Sequence, residues 1–390
     1  MPWRWQWSVI NNISGGGEMS LGMRNRLSYH VVFLSLCVSL LSFAPRSVAD
    51  DAAVSVKAGG IEFKHEPRIS MEKEVLRISR EKVAVEYQFL NESVQDITTE
   101  LAFPVPPMGV FDSDCGPRST FNDFRLWVDG QEIHYETEDL AKLAGTDYTL
   151  LIRNLGINIA TFGDYWGPAE KCDGGDFKLS TQQVRELASH GLLDKDGVPQ
   201  WTVNRLFHWT QKFPARKTIL IRHEYRPVIG SQYALLKDLE PGANQRQTLA
   251  AREASRAGQD KKFELGMLEP IQNACLEPGL LKALNKDNAV AFPTETARAV
   301  ANNYVDTIWV DFVIKTANFW KTPIKEFELI VEKPEPSFGK SWYVSFCWNG
   351  EIHRDGSGRF VAKAKNFVPQ RDLTVMFLRM HPRESMSILN

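Results

Sequence analysis

An apolar run near the start of the chain, residues 31–43, constrains the fold more than any other feature. Arg24 and Arg26 precede this run, and the small residues Ser47 and Ala49 follow it. A positive flank, a short apolar segment and a pair of small residues together define a cleaved export signal. The run is too short for a membrane span, which needs about 20 residues. We therefore predict cleavage near Ala49 and a mature chain with no stable membrane span.

The signal also sets the compartment in which the rest of the chain folds. Residues 1–49 are predicted to be leader and signal peptide, and the sequence leaves open whether translation begins at Met1, Met19 or Met23. The same kind of signal serves the periplasm and full secretion. The mature protein is expected to be periplasmic or secreted, where cysteines oxidise.

The composition indicates a folded protein with a large core. The chain is 43% hydrophobic and 11% aromatic, which is too apolar for disorder over most of its length. Its formal net charge is −2, so it lacks the basic excess of nucleic-acid-binding proteins. The expected partner is another envelope protein or a glycan, and not a nucleic acid.

Cysteine usage fits an exported chain. Four cysteines follow the signal, namely Cys115, Cys172, Cys275 and Cys347. An even number favours two disulfides, for which three pairings are possible. We favour Cys115 with Cys172 and Cys275 with Cys347, because each pair then stays inside one predicted domain. No cysteine has a second cysteine or a histidine at ligand spacing, so no metal site and no cofactor are predicted.

Alternation of apolar and polar residues dominates the mature chain. Residues 83–89, 219–225 and 308–315 each alternate in this way. A period of two places each apolar set on one face of a sheet. Asp129-Gly130 and Asn349-Gly350 lie between such segments and predict type I′ hairpins. Short strands joined by turns are typical of a β-sandwich.

A helical pattern interrupts the strands over about residues 138–193. Leu140 and Leu143 fit one helix, and Ser180 with Gln183 has the spacing of a capping box before another. We predict a helical insertion here.

The predicted fold class is mainly β with a helical insertion (α+β), built as two β-sandwich-like domains stapled by disulfides. Residues 238–262 are polar and alanine-rich, which predicts a linker or an exposed helix. The N-terminal domain then covers residues 50–237, including the insertion, and the C-terminal domain covers residues 263–390.

The sequence carries no recognised catalytic motif, and we predict no catalytic residue. His223-Glu224 begins like the zinc motif His-Glu-x-x-His, but Pro227 stands where the second histidine is required. The alternation around His223 also predicts a strand, whereas the motif needs a helix. Paired carboxylates for glycan hydrolysis are set by folding and not by sequence spacing, so they stay open.

Tryptophans are the candidate binding residues. Exposed indoles stack on sugar rings and anchor protein interfaces. Trp127 and Trp309 lie opposite the apolar stripe of their strands, and Trp209 and Trp320 are the other two candidates. The alternative is that these indoles pack in the interior, as large aromatic side chains usually do.

Several segments, taken in order, resemble a known family. They are residues 58–63, 85–91, 102–106, 208–215, 223–228, 344–347 and 366–373. Together they resemble the exported bacterial family catalogued as domain of unknown function 4424, over nearly the whole mature chain. The resemblance implies a secreted or periplasmic protein with a signal peptide, and it agrees with a pairing of Cys275 and Cys347. It implies no activity and no catalytic residue.

These observations lead to one expected function and two alternatives. We expect an exported, non-enzymatic envelope protein that binds a protein or a glycan through a rigid β scaffold. The alternatives are a secreted hydrolase that acts on a glycan through paired carboxylates and a structural component of an envelope assembly.

Overall fold

The computed structural model describes residues 52–57, 60–63, 65–107, 123–159, 179–194, 197, 199–239, 270–291, 304–337 and 341–381. They lie in one compact unit, Ser47–Asn390. The fold is mainly β, with 50% strand and 17% helix. The predicted signal, the cysteines Cys115 and Cys172, and residues 240–262 of the predicted linker lie outside the described residues.

The elements are numbered in chain order. The strands are β1 (Ala52–Lys57), β2 (Gly60–Phe63), β3 (Ile69–Ile78), β4 (Val83–Asn91), β5 (Ile97–Pro104), β6 (Arg125–Val128), β7 (Gln131–Glu132), β8 (Glu136–Leu143), β9 (Thr146–Asp147), β10 (Thr202–Phe213), β11 (Thr218–Tyr225), β12 (Ile229–Leu235), β13 (Tyr304–Phe312), β14 (Ile324–Glu332), β15 (Tyr343–Phe346), β16 (Ile352–Arg354), β17 (Arg359–Phe367) and β18 (Leu373–Met380). The helices include α1 (Thr149–Asn154), α2 (Thr181–Ser189) and α3 (Pro278–Ala291).

The described strands form three sheets. The six-stranded sheet has the order β2-β1-β5-β10-β8-β9, the eight-stranded sheet β16-β17-β14-β3-β4-β11-β6-β7, and the four-stranded sheet β12-β13-β18-β15. In the eight-stranded sheet β3 and β14 pair in parallel, from Lys73 opposite Glu326 to Ile78 opposite Val331. The prediction of two separate β-sandwich-like domains is therefore wrong, because strands from both predicted halves are hydrogen-bonded into one sheet.

The main core lies between the eight-stranded sheet and the other two sheets. The inward side chains of β4 and β11 are buried, as the alternation over residues 83–89 and 219–225 predicts. Phe103 and Phe207 face them from the six-stranded sheet, and Phe312 and Phe377 face them from the four-stranded sheet. Burying one such side chain contributes about 1.5–3 kcal/mol relative to leaving it exposed.

The predicted helical insertion is confirmed only in part. Helices α1 and α2 lie inside it, and α2 has the predicted capping box, in which Ser180 Oγ accepts from the Gln183 N–H and Gln183 Oε1 accepts from the Ser180 N–H. The predicted helix at Leu140 and Leu143 is wrong, since this segment is β8. Pairing with β10 from Glu136 to Lys142 outweighs a weak local helical preference.

The same segment carries a buried ion pair. Asp139 on β8 accepts two hydrogen bonds from Arg205 on β10, at 2.7 and 2.8 Å. Both side chains are largely buried, and the paired geometry holds these two strands in register.

One of the two predicted hairpins is confirmed. Asp129 and Gly130 both have positive φ, +48° and +82°, and they join the paired strands β6 and β7. The hairpin predicted at Asn349-Gly350 is wrong, because β15 pairs with β18 and β16 pairs with β17. A turn sequence specifies a local reversal of the chain and does not specify which strands pair after it.

Helix α3 covers the face of the four-stranded sheet that points away from the main core. Its residues Leu281 and Leu284 pack with Val305, Met376 and Leu378 in a cluster that we call the helix-side cluster. The four-stranded sheet therefore lies between two apolar layers. No helix in the described part of the chain is long and apolar enough to cross a membrane.

Candidate functional site

A groove of about 750 Å³ runs beside β15 and is the candidate functional site. Its volume lies in the range of ligand pockets, about 300–1,000 Å³. All four residues of β15 line it, together with the first turns of α3 and the hairpin of β16 and β17. Within the described residues, β15 pairs with β18 alone, so the groove follows an open sheet edge.

The side chains of β15 leave on both faces of its sheet. Val344 and Phe346 pack toward the main core, while Tyr343 packs with the helix-side cluster. Ser345 is buried, and its hydroxyl donates to the Ala274 carbonyl over 2.9 Å. Because both faces are occupied, the backbone edge of β15 is the part of the strand that faces the groove.

Covalent and polar links fix the helical wall of the groove. The Cys275–Cys347 disulfide joins the segment before α3 to the residue after β15, with Cα atoms 5.0 Å apart. The Tyr343 hydroxyl donates to Asp287 Oδ2 over 2.9 Å. Burial, together with this hydrogen bond to a carboxylate, raises the pKa of Tyr343 to about 12. The hydroxyl therefore keeps its proton, and the link, at neutral pH.

The hairpin of β16 and β17 forms the opposite wall. The Arg354 guanidinium lies 4.9 Å from the ring centroid of Phe360, which is a cation–π contact. In the turn, Asp355 accepts from Ser357 Oγ and Arg359 Nε, each over 2.6 Å. The Ser357 hydroxyl, followed by the backbone N–H groups of Arg359 and Ser357, lowers the pKa of Asp355 to about 2. Asp355 is thus a carboxylate that fixes the turn.

The charges of the groove are unevenly placed. Lys333 and Arg354 line it on the hairpin side, and neither makes an ion pair within the described part of the chain. Glu277 lines it on the helix side, also without an ion pair among those residues. The hairpin side therefore offers positive charge to a ligand.

Trp342 anchors the start of β15 and was not singled out by the sequence. It is 1% exposed, and the guanidinium groups of Arg379 and Arg80 lie 4.5 and 5.5 Å from its ring. Arg379 also donates to Asp306 Oδ2 over 2.8 Å, and His381 Nδ1 lies 2.5 Å from Asp306 Oδ1. No local sequence pattern indicates the role of Trp342, because the two arginines that contact its ring are distant from it in the sequence.

The four predicted binding tryptophans are not brought together, and none lines the groove. Trp209 and Trp320 are 5% and 2% exposed and belong to the main core. They follow the alternative reading of the sequence, in which these indoles pack in the interior. Trp127 is half-buried, and the guanidinium groups of Arg125 and Arg222 lie 4.7 and 4.5 Å from its ring. Two cations therefore pack on this indole.

Trp309 faces the helix side of the four-stranded sheet. It packs against the helix-side cluster, and its indole lies directly on Gly230 of β12. A Cβ at Gly230 would lie 2.0 Å from Trp309 Cε2, so the glycine provides the space for the ring.

The predicted pairing of Cys275 with Cys347 is confirmed. The pairing of Cys115 with Cys172 lies outside the described residues and stays a prediction. The predicted strand at His223 is also confirmed, as β11. Complete burial lowers the pKa of His223 to about 3, so the imidazole is neutral in the core.

A second polar cluster lies on the outer face of the six-stranded sheet. His208 Nδ1 lies 2.7 Å from Glu100 Oε1, and His208 Nε2 lies 3.9 Å from Glu136 Oε2. Two carboxylates therefore share one imidazole. Among the described residues, no group of three or more His, Cys, Asp or Glu side chains has the arrangement of a metal site.

The family assignment follows from a match over most of the chain. The model of the family described as domain of unknown function (DUF4424) matches residues 49–376. The chain belongs to this family. DUF4424 carries no activity in its description, so membership supplies no site residues. The match includes β15, the first turns of α3 and the hairpin of β16 and β17, so the groove lies within the DUF4424 region.

Comparison with solved structures gives a distant likeness. A crystal structure from Legionella pneumophila, described as a "putative nutrient binding protein", is 15% identical and has a TM-score of 0.36. The likeness covers 84% of this chain and 69% of that chain. A search of the curated proteins finds no match.

Proposed function

We propose that this DUF4424 member is an exported, non-enzymatic binding protein that holds a protein or glycan partner in the groove beside β15. The groove carries the proposal. It combines aromatic side chains with uncompensated charge along an open strand edge. Concave sites of this volume, with a few polar groups among apolar ones, are where ligands bind.

The rigidity of both walls supports binding. A disulfide and two side-chain hydrogen bonds hold the helical wall, and the Asp355 turn holds the hairpin wall. A site that is ordered before binding loses less conformational entropy when the ligand arrives.

Export is part of the proposal. The DUF4424 match begins at residue 49, where the predicted signal ends. The Cys275–Cys347 disulfide is of the kind that forms in oxidising compartments. A periplasmic or secreted location, after cleavage near Ala49, fits both observations. Amino-terminal sequencing of the mature protein tests it, and a retained segment 31–43 would contradict it.

A binding panel tests the proposal. The mature chain is titrated with envelope glycans and purified envelope proteins while tryptophan fluorescence is followed, because Trp342 lines the groove and Trp348 lies beside it. We expect a saturable response to at least one component and no turnover of it.

Two matched variants locate the response. Ala283→Phe fills the groove from α3, and Ala188→Phe makes the same change on the exposed face of α2, outside the groove. We expect Ala283→Phe to abolish the response and Ala188→Phe to retain it. Equal responses in the two variants would contradict a role for the groove.

The carboxylates Glu100 and Glu136 beside His208 favour a second candidate, a glycan hydrolase. General acid–base chemistry on a glycan uses two carboxyl groups, and this cluster supplies them on one sheet face. Turnover of a glycan that is lost in both Glu100→Gln and Glu136→Gln would support it. Turnover that survives both changes, or no turnover, would exclude this pair.

A further inference from the structure

We infer that the occupant of the groove is an extended segment of a partner polypeptide, which adds to β15 as a further antiparallel or parallel strand. This inference rests on the proposed function and narrows it to one ligand class. It follows from the edge of β15, from the two layers that flank it, and from the charge of the hairpin wall.

The edge of β15 offers backbone groups at strand spacing. β15 pairs with β18 from Tyr343 opposite Leu378 to Phe346 opposite Val375, and no described strand pairs with its other edge. Along such an edge, every second residue directs its N–H and C=O outward. Four residues span about 13 Å, which a segment of four to six residues would match.

The layers on either side of β15 continue past its edge. Leu280 and Ala283 of α3 line the groove on one side, and Ile352 and Phe360 line it on the other. A strand placed beside β15 would therefore lie between a helix and a sheet, as β15 itself does. Its alternate side chains would meet these two apolar surfaces in turn, which is how strand addition acquires specificity.

Charge selects among such segments. Lys333 and Arg354 lie on the hairpin side without ion pairs within the described part of the chain, and Glu277 lies on the helix side. A segment with an acidic residue on its hairpin-facing side would complement the two cations. The backbone of a glycan is linked through ether oxygens and contains no amide groups, whereas a polypeptide backbone presents N–H and C=O groups at strand spacing, so the edge favours polypeptide.

A peptide selection tests the inference. Random nine-residue peptides displayed on phage are selected on the full mature protein, and clones are kept if they bind Ala188→Phe and fail to bind Ala283→Phe. The best peptide is synthesised in three forms, namely unmodified, N-methylated at odd positions and N-methylated at even positions. Fluorescence anisotropy then gives the affinity of each form.

Strand addition predicts a parity effect. One N-methylated form should lose at least about tenfold in affinity, because its methyl groups replace the N–H groups that face β15, while the other form binds within about threefold of the unmodified peptide. Arg354→Gln should weaken binding of an acidic peptide by about two- to fivefold, and Lys365→Gln, on β17 outside the groove, should not.

Other results would overturn the inference. Equal losses for the two N-methylated forms, or no groove-dependent peptide at all, would exclude strand addition. Groove-dependent binding of a glycan with no such peptide would leave the groove as a binding site but refute this occupant. Peptide binding that requires deletion of residues 382–390 would show that the chain's own end is the natural occupant, and would also refute it.

Discussion

Removal of the Cys275–Cys347 disulfide should destabilise the protein by an amount that the structure specifies. The two cysteines are separated by 72 positions in the sequence. In the chain-entropy model, closing a loop of this length lowers the entropy of the unfolded chain by about 15 cal/mol/K. At 25 °C this corresponds to about 4 kcal/mol of stabilisation of the folded state.

The change to make is the double substitution Cys275→Ala with Cys347→Ala, which leaves no free thiol at this site. Urea unfolding, followed by circular dichroism and by tryptophan fluorescence, gives the free energy of unfolding. We expect a loss of about 4 kcal/mol, and coincident transitions from the two probes. Removal of the cross-link also lets the unfolded chain expand, so the slope with urea should rise slightly.

A control separates the cross-link from its surroundings. Ser345→Ala keeps the disulfide and removes the buried hydrogen bond from the Ser345 hydroxyl to Ala274, so it should cost only about 1 kcal/mol. A loss below about 1 kcal/mol in the double variant, or a loss no larger than that of Ser345→Ala, would refute the loop-closure argument.

Three further changes test other parts of the fold. Burial lowers the pKa of His223 from 6.5 to about 3, so between these pH values only the unfolded state binds a proton on this imidazole. The free energy of unfolding should therefore fall by about 1.4 kcal/mol per pH unit as the pH drops below 6.5. His223→Leu should remove this component from acid unfolding curves. An unchanged acid slope would contradict this. Asp139→Ala removes both hydrogen bonds that Asp139 accepts from the largely buried Arg205 and should cost about 3 kcal/mol in urea unfolding. This loss is far more than that of Glu132→Ala, which breaks an exposed pair with Arg125, and equal losses would contradict the burial argument. Gly230→Ala forces the Trp309 indole to move and should cost about 1–3 kcal/mol, whereas unaltered stability would show that the ring has other space.

Local patterns predicted the strands well. The alternation over residues 83–89 and 219–225 identified which side chains are buried, because period-two spacing alone decides the face of a strand. The pattern of β6 likewise placed Trp127 opposite the buried Leu126. The Asp129-Gly130 hairpin followed from two residues that adopt positive φ readily.

The pairing of distant strands could not be predicted in this way. β3 and β14 pair in parallel although they are some 250 positions apart in the sequence, and no pattern within either strand indicates its partner. The wrong prediction of two separate domains and the wrong prediction of a hairpin at Asn349-Gly350 have the same cause, since local patterns do not specify which strands pair. The groove is missed for the same reason, since its residues run from Glu277 to Phe360 and share no motif. Of the two arginines that pack on Trp127, Arg125 is local to β6, whereas Arg222 comes from the distant strand β11.

Amide hydrogen exchange of the mature protein, with and without a component that responds in the fluorescence panel, tests the central claim most directly. Exchange reports the protection of individual backbone N–H groups. Binding in the groove predicts slower exchange over β15 and over residues 352–360, with no change over β6. Protection confined to other elements, with β15 unaffected, would contradict the assignment of the groove as the binding site.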